Sequence, residues 1–277
     1  MAIPAIKYKE KHPNTKMILN CLDICPESAK NRLGKIGYAC ISSLSKKIYK
    51  KFDKILVSSK SFIDYMITQN KIDSKKLVYL PQHSGGDLVD KDLKNENTIT
   101  NFMFAGNLGT AQRLDVIIKA LALVKGGFVM NFVGTGAKEK WLKDLVEEYN
   151  LQNKVVFHGR KTYEQMVDYY RSADALIITL RGDNAVGNTL PNKLQTYMSS
   201  GKPIFGAING SANEIIKQSK CGYCVNSGDF EGLAKLLQDF IDNPTKYKDC
   251  GENGRKFFKE NFTFEIFMNN LNKELLW

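Results

Sequence analysis

Apolar residues recur with two periods along this chain, and from Asn101 onward the periods alternate. Phe102–Gly106, Phe128–Gly134, Val155–Gly159, Ala175–Leu180, Pro203–Ala207 and Cys221–Val225 are short apolar runs that read as strands. Between and after them, stretches near 112–125, 137–149, 163–172, 213–219 and 230–241 carry apolar residues at helical spacing. Thr189–Ile204 adds a helix opening at Pro191 and stopping at Gly201, which feeds straight into a strand. Leu190, Leu194, Tyr197 and Met198 fall at i, i+4, i+7 and i+8, so that helix has an inward face, with Lys193 and Gln195 off it. Repeated β-α units of this length predict a parallel sheet with helices on both faces. Ala175–Leu180, apolar at every position but Thr179, reads as a strand buried on both sides.

The first eighty residues hold the same units in smaller number. Met17–Cys21, Ile55–Ser58 and Leu77–Leu80 read as strands, with a long helix between Asn31 and Lys51. His83–Asn97 is polar and glycine-containing and reads as a connector. The tail from Gly254 reads as helical, with Phe257, Phe258, Phe262, Phe264, Phe267, Met268 and Leu271 on its apolar side. The expected organisation is a partial α/β domain at 1–84, a linker at 85–98, a complete domain at 99–262, and a closing helix at 263–277 that packs back on the N-terminal part.

Composition narrows the class. At 277 residues, 43% hydrophobic and 25% charged, the chain is an ordinary globular one. No apolar run approaches the roughly 18 residues of a membrane span, and MAIPAIKYKEKHP has no signal-peptide core. A cytoplasmic location follows as the expectation. The net charge of +11 is uneven: residues 1–80 hold sixteen Lys or Arg against six Asp or Glu, leaving 24 against 23 for the rest. Such a surface is either simply solvated or attracts anionic lipid, which would place the protein peripherally at the inner face of the plasma membrane. No nucleic-acid motif accompanies the lysines. Cys221 and Cys224 have CxxC spacing, but no second pair completes a zinc site, so all six cysteines read as free thiols and no metal is expected.

Candidate chemistry lies where strands end. Gly106-Asn107-Leu108-Gly109-Thr110 and Val133-Gly134-Thr135-Gly136 are turns that expose backbone amides to a phosphate, or that use glycine for geometry alone. Neither is GxGxxG or a P-loop. The start of the Pro191 helix, with Lys193 in its first turn, suits an anion; an ordinary amphipathic helix is the alternative. His12, His83 and His158 are isolated, and no nucleophile-base pattern appears. Asp174 reads as a local cap before its buried strand. Chemistry driven by leaving-group stabilisation, or no chemistry, fits that pattern.

The ordered set Gly106–Gly109, Val155–Gly159, Tyr169–Ala175 and Pro191–Ile204 resembles glycosyltransferase family 4, in particular bacterial surface-polysaccharide transferases of the L-fucosamine and N-acetylhexosamine type. Asp23–Ser28 resembles that family's Asp-x-x-Pro-Glu-Ser. The resemblance implies a GT-B fold, a UDP-sugar donor, a saccharide or lipid-linked saccharide acceptor and a retaining transfer, with no cofactor. It places Gly109, Thr110, Arg113, Thr189, Leu190 and Lys193 at the diphosphate, Gln195 at the ribose, and Gly159 and Arg160 at the nucleobase. It also marks departures. Gly187 stands where the first glutamate of E-x7-E is expected, and Gln112-Arg113 replaces the usual Lys-Gly. Family members carry further chain before the position of Met1, including a glycine-rich loop, so the chain reads as N-terminally truncated. A non-catalytic nucleotide-binding fragment and a sugar-nucleotide epimerase are the alternative readings.

Overall fold

The computed structural model describes residues 2–27, 33–84, 88, 99–182 and 189–276. It contains two parallel sheets. In the smaller, β1 (Ile18–Cys21), β2 (Lys54–Val57) and β3 (Leu77–Tyr79) lie side by side in chain order, with α1 (Ala2–Lys11), α2 (Lys35–Lys50) and α3 (Lys60–Thr68) around them. Two of these helices go beyond the sequence reading. Ile6 is the one buried residue of the lysine-rich α1, so no apolar stripe announces it. α3 spans nine residues and buries only Phe62 and Met66, an i, i+4 pair too short to register as a period.

The larger sheet is built from β4 (Thr100–Ala105), β5 (Phe128–Val133), β6 (Val155–Phe157), β7 (Ala175–Thr179), β8 (Ile204–Ala207) and β9 (Gly222–Val225). Their order is β6-β5-β4-β7-β8-β9, all parallel. The connecting helices are α4 (Leu114–Leu123), α5 (Glu139–Glu148), α6 (Tyr163–Ser172), α7 (Asn192–Ser200), α8 (Gly210–Ser219) and α9 (Phe230–Asp242). Alternation along β4 shows how both faces are filled. Phe102 and Phe104 enter the core shared with α4, α5 and α9, while Met103 and Ala105 enter the core shared with α6, α7, α8 and the helix that follows α9. Asp174 also acts between elements: its carboxylate accepts the Asn101 amide at 2.8 Å, near the start of β4.

The helical tail divides in two, α10 (Cys250–Asn261) and α11 (Phe264–Leu275), because Phe262 turns the chain and the Thr263 hydroxyl caps a new start by accepting the Ile266 amide. The Arg255 side chain of α10 reaches the C-terminal end of α7, donating to the Ser200 carbonyl at 3.0 Å. α11 touches the smaller sheet, where Lys54 pairs with Glu274 at 2.7 Å. The connector enters the larger unit between α7 and α11: the His83 ring lies 5.0 Å from Phe264 and 5.1 Å from Phe267. A second bridge joins α3 to α8, with the buried Ser59 hydroxyl 3.0 Å from that of Ser211. Apart from Leu88, the expected linker at 85–98 lies outside the described residues.

Candidate functional site

The strand order reverses at β4. From there the chain moves outward through β5 and β6 on one side, then returns to build β7, β8 and β9 on the other. In such sheets a crevice opens beyond the carboxyl ends of the strands at the reversal point. A cavity of about 320 Å³ lies there, lined by Ala105, Gly106, Asn107, Val133, Gly134, Thr135, Arg160, Lys161 and Met166.

Its floor is three strand-end turns laced by backbone hydrogen bonds. Gly106 donates to Val133, Leu108 to Thr135, and Gly134 to the Gly159 carbonyl, each at 2.9 Å. The fit permits no side chain at Gly134. A Cβ there would stand 2.0 Å from the Gly106 oxygen, and its φ is +140°. Sequence reading took these glycines as either phosphate-facing or geometric; at Gly134 the geometric need is met by direct contact.

The turn after β4 continues through Gly109 into a 3-10 turn, Thr110–Gln112, and then α4. Arg181, just past β7, donates its amide to Ala111 at 2.8 Å and fixes that turn against the neighbouring strand. Arg113 adopts a left-handed conformation, φ 48°. Its guanidinium makes a bidentate pair with Asp115, at 2.9 and 3.0 Å. The cation expected to be displaced toward the diphosphate is therefore engaged with a carboxylate in this structure.

α7 differs from its sequence reading in two ways. It begins at Asn192, with Pro191 as the extended cap, so Thr189 and Leu190 precede the helix and the first unbonded amides are those of Asn192 and Lys193. It is also buried nearly all round: Leu194, Gln195, Tyr197, Met198, Ser199 and Ser200 are all inside. Gln195 thus does not project off a buried face. It is fully buried, and its amide nitrogen donates to the Gln82 carbonyl at 2.7 Å. Next to it, Thr196 shares a 2.7 Å hydrogen bond with Ser84. These two residues hold the connector, and neither lines the cavity, because the connector lies across that side of α7. Gly187 lies outside the described residues.

Lys193 turns the other way, toward the strand ends. Its amine is buried without a hydrogen-bond partner, 3.8 Å from the centre of the Phe104 ring and against Gly106. Burial pulls its pKa from 10.5 down to about 7. An unpaired amine held inside a protein beside a cavity is costly, and that cost is relieved by an anion.

Arg160 lines the cavity as part of the loop after β6, while Gly159 lies behind it, supplying the carbonyl that Gly134 uses. His158 serves the loop. Its Nε2 lies 2.8 Å from the Asn131 oxygen and its Nδ1 3.4 Å from the Tyr169 hydroxyl, while burial, aided by Lys161, lowers its pKa. Asn107, Thr135, Lys161 and Met166 were not singled out from sequence. The first two sit inside the glycine turns, which was the available signal. Among the described residues no group of His, Cys, Asp and Glu could hold a metal ion. The cysteines are free, and burial raises Cys221 to about 11 and Cys224 to about 12.

A family model described as glycosyl transferases group 1 matches residues 89–257. An uncharacterized glycosyltransferase of Methanocaldococcus jannaschii is 24% identical over 243 residues, covering 83% of this chain and 60% of its own length. The probable glycosyltransferase WbjE of Pseudomonas aeruginosa is 23% identical over 261 residues, with 87% and 63% covered. The chain therefore spans about three fifths of the length of these relatives. Among solved structures, Anabaena HepE in complex with UDP superposes with a TM-score of 0.83 at 14% identity, covering 99% of this chain and 75% of that one. The lipopolysaccharide outer core galactosyltransferase WaaB gives 0.72 at 14% identity, with 99% and 78% covered.

Proposed function

The chain belongs to the glycosyl transferases group 1 family and has an α/β fold of the GT-B kind, and from that premise we propose that its larger unit binds a UDP-sugar for transfer to a polysaccharide precursor. The observation that carries the reading is the unpartnered Lys193 amine, buried against Gly106, whose turn lines the cavity although Lys193 itself does not. The diphosphate sits over the Gly109 and Thr110 turn, within reach of Lys193, with the amides at the start of α7 facing it from beyond Thr189 and Leu190. Arg113 joins it by leaving Asp115. The base occupies the cavity beside Arg160 and Lys161, with Gly159 behind. HepE was solved with UDP, which supports uridine here. The ribose role of Gln195 is not carried forward: the side chain is fully buried and its nitrogen is held by the connector, although its oxygen has no partner.

Breaking the sugar-phosphate bond builds negative charge on the departing diphosphate. Amides and a cation set in advance around that charge contribute about 3 kcal/mol each to such a transition state. No protein nucleophile is needed in this scheme, which runs with retention at the sugar carbon. The acceptor meets the sugar from the side of the smaller sheet. It is a saccharide carried on lipid, and the lysine-rich helices there rest on an anionic membrane.

Thermal protection tests the reading. UDP at millimolar concentration should raise the melting temperature, since a ligand that binds only the folded state stabilises it, and Lys193→Ala should remove the effect. Equal protection of the variant would take Lys193 out of the site; no protection of the parent by UDP or UDP-sugars would sink the UDP assignment. Binding without transfer is the second reading, favoured by the three-stranded smaller sheet; release of UDP in the presence of lipid-linked saccharide separates the two. An epimerase would need carboxylates at the cavity, and among the described residues its lining has none.

A further inference from the structure

Among the described residues, the Lys193 amine has neighbours but no counter-charge. Phe104 of β4 and Gly106 after it are uncharged, and no acid stands in the first turn of α7. The Tyr197 hydroxyl, one turn along, is fully buried and bonds the Ala105 backbone. Asp115, which follows the 3-10 turn, is held by Arg113. Arg160 and Lys161, across the cavity that Gly106 borders, are cations themselves. A permanent charge in that position would have the face of the Phe104 ring to offset its burial, far less than the water it gives up, and proteins avoid that by shedding the proton. An arginine could not do so; a lysine can.

We infer that Lys193 waits as a neutral amine until the donor binds and takes up one proton from solvent when the nucleotide diphosphate arrives. The inference rests on the diphosphate reading above and adds to it a coupling between donor binding and protonation. Before the donor binds, the neutral amine packs on the Phe104 ring and escapes the larger cost of a buried charge. Once two phosphates stand beside it the charged form is favoured, so the proton and the donor bind together. Linkage makes the coupling reciprocal: the donor raises proton affinity, and raising the pH weakens donor binding. The charge that stabilises the leaving group is thus assembled only when the leaving group is present.

Isothermal titration of the full chain with UDP-glucose reads the coupling directly. This probe carries no terminal phosphate monoester, whose own ionisation near pH 6 would confuse the count. At pH 8, binding heats measured in buffers of different ionisation enthalpy should reveal an uptake approaching one proton per nucleotide sugar, and whatever binding Lys193→Met retains should carry none. The parent alone offers a second readout. With the free amine at about 7, affinity should be about fivefold weaker at pH 8 than at pH 7, and about tenfold weaker again at pH 9. Heats independent of buffer, affinity independent of pH, or the same uptake in the methionine variant overturn the inference while leaving the nucleotide reading intact. A folded chain that binds no UDP-sugar at any pH overturns the reading beneath it.

Discussion

Lys193 and Gly106 occupy one space: the lysine amine lies where a side chain on Gly106 would begin, 2.9 Å from the position of its Cβ. Gly106 also has φ +140°, a conformation that side chains rarely adopt. Gly106→Ala should therefore destabilise the chain by about 1–3 kcal/mol through backbone strain. It should also push the lysine from its seat and weaken UDP binding at least tenfold, an order-of-magnitude expectation for losing one charge-assisted contact. Thermal melts with and without UDP check both effects. A variant that melts and binds like the parent would mean that the lysine has another seat.

Removing the amine should stabilise the empty protein. The folded-state pKa of Lys193, about 7, lies below its ordinary 10.5. Between those values the unfolded chain binds the proton that the folded chain has shed, so this group makes stability rise with pH across that window. Below pH 7 its full penalty is present. Lys193→Met should consequently exceed the parent in stability by on the order of 3 kcal/mol at pH 6, with the difference shrinking toward zero near pH 10.5. Urea unfolding of both proteins at pH 6, 8 and 10 measures it, and the tyrosines and cysteines that titrate at high pH cancel in the difference. A gap that does not shrink with rising pH would rule out titration as its source.

Gln195 gives a contrasting expectation. Its buried nitrogen holds the Gln82 carbonyl, and its own oxygen is buried without a partner. Gln195→Ala should cost about 1–3 kcal/mol of stability by stranding that carbonyl. UDP affinity should stay within about twofold, roughly 0.4 kcal/mol. Loss of affinity in a variant of unchanged stability would return Gln195 to the ribose.

Much of the larger unit was legible in the sequence because parallel strands are buried on both faces and so read as plain apolar runs. α6 was placed at its observed ends, Tyr163 and Ser172, with Thr162 and Gln165 forming a capping box at its start. Gly201 closes α7 in a left-handed conformation, as its place in the sequence implied. What the sequence could not show were the orientations of Lys193 and Gln195. Helical spacing puts both off the apolar stripe, but α7 lies between α10 and the connector, so tertiary contact buries the side that periodicity leaves polar. The cavity was hidden for a similar reason. Asn107, Thr135 and Lys161 come together only through the order β6-β5-β4, which no local pattern encodes.

The smaller unit carries the last expectation, because α2 presents two of its apolar residues to solvent. Ile36 is 82% exposed and Leu44 50%, while Ser45 and Tyr49 face inward. With Cys40 and Lys47 also exposed, positions 36, 40, 44 and 47 form one stripe at helical spacing. No helix among the described residues is long and apolar enough to cross a membrane. A helix lying in the interface needs only an apolar stripe with lysines beside it, and Lys47 and Lys50 supply them, each contributing about 1 kcal/mol at an anionic surface. The chain should therefore sediment with vesicles containing phosphatidylglycerol and stay in solution with purely zwitterionic ones. Raising the salt toward 0.5 M should release it, because attraction over a Debye length of a few ångströms is lost. Replacing Ile36 and Leu44 together with serine should reduce binding several-fold at unchanged melting temperature, since neither side chain is part of a core. Binding that survives both the salt and the double substitution would place the contact elsewhere and leave the α2 stripe as solvated surface.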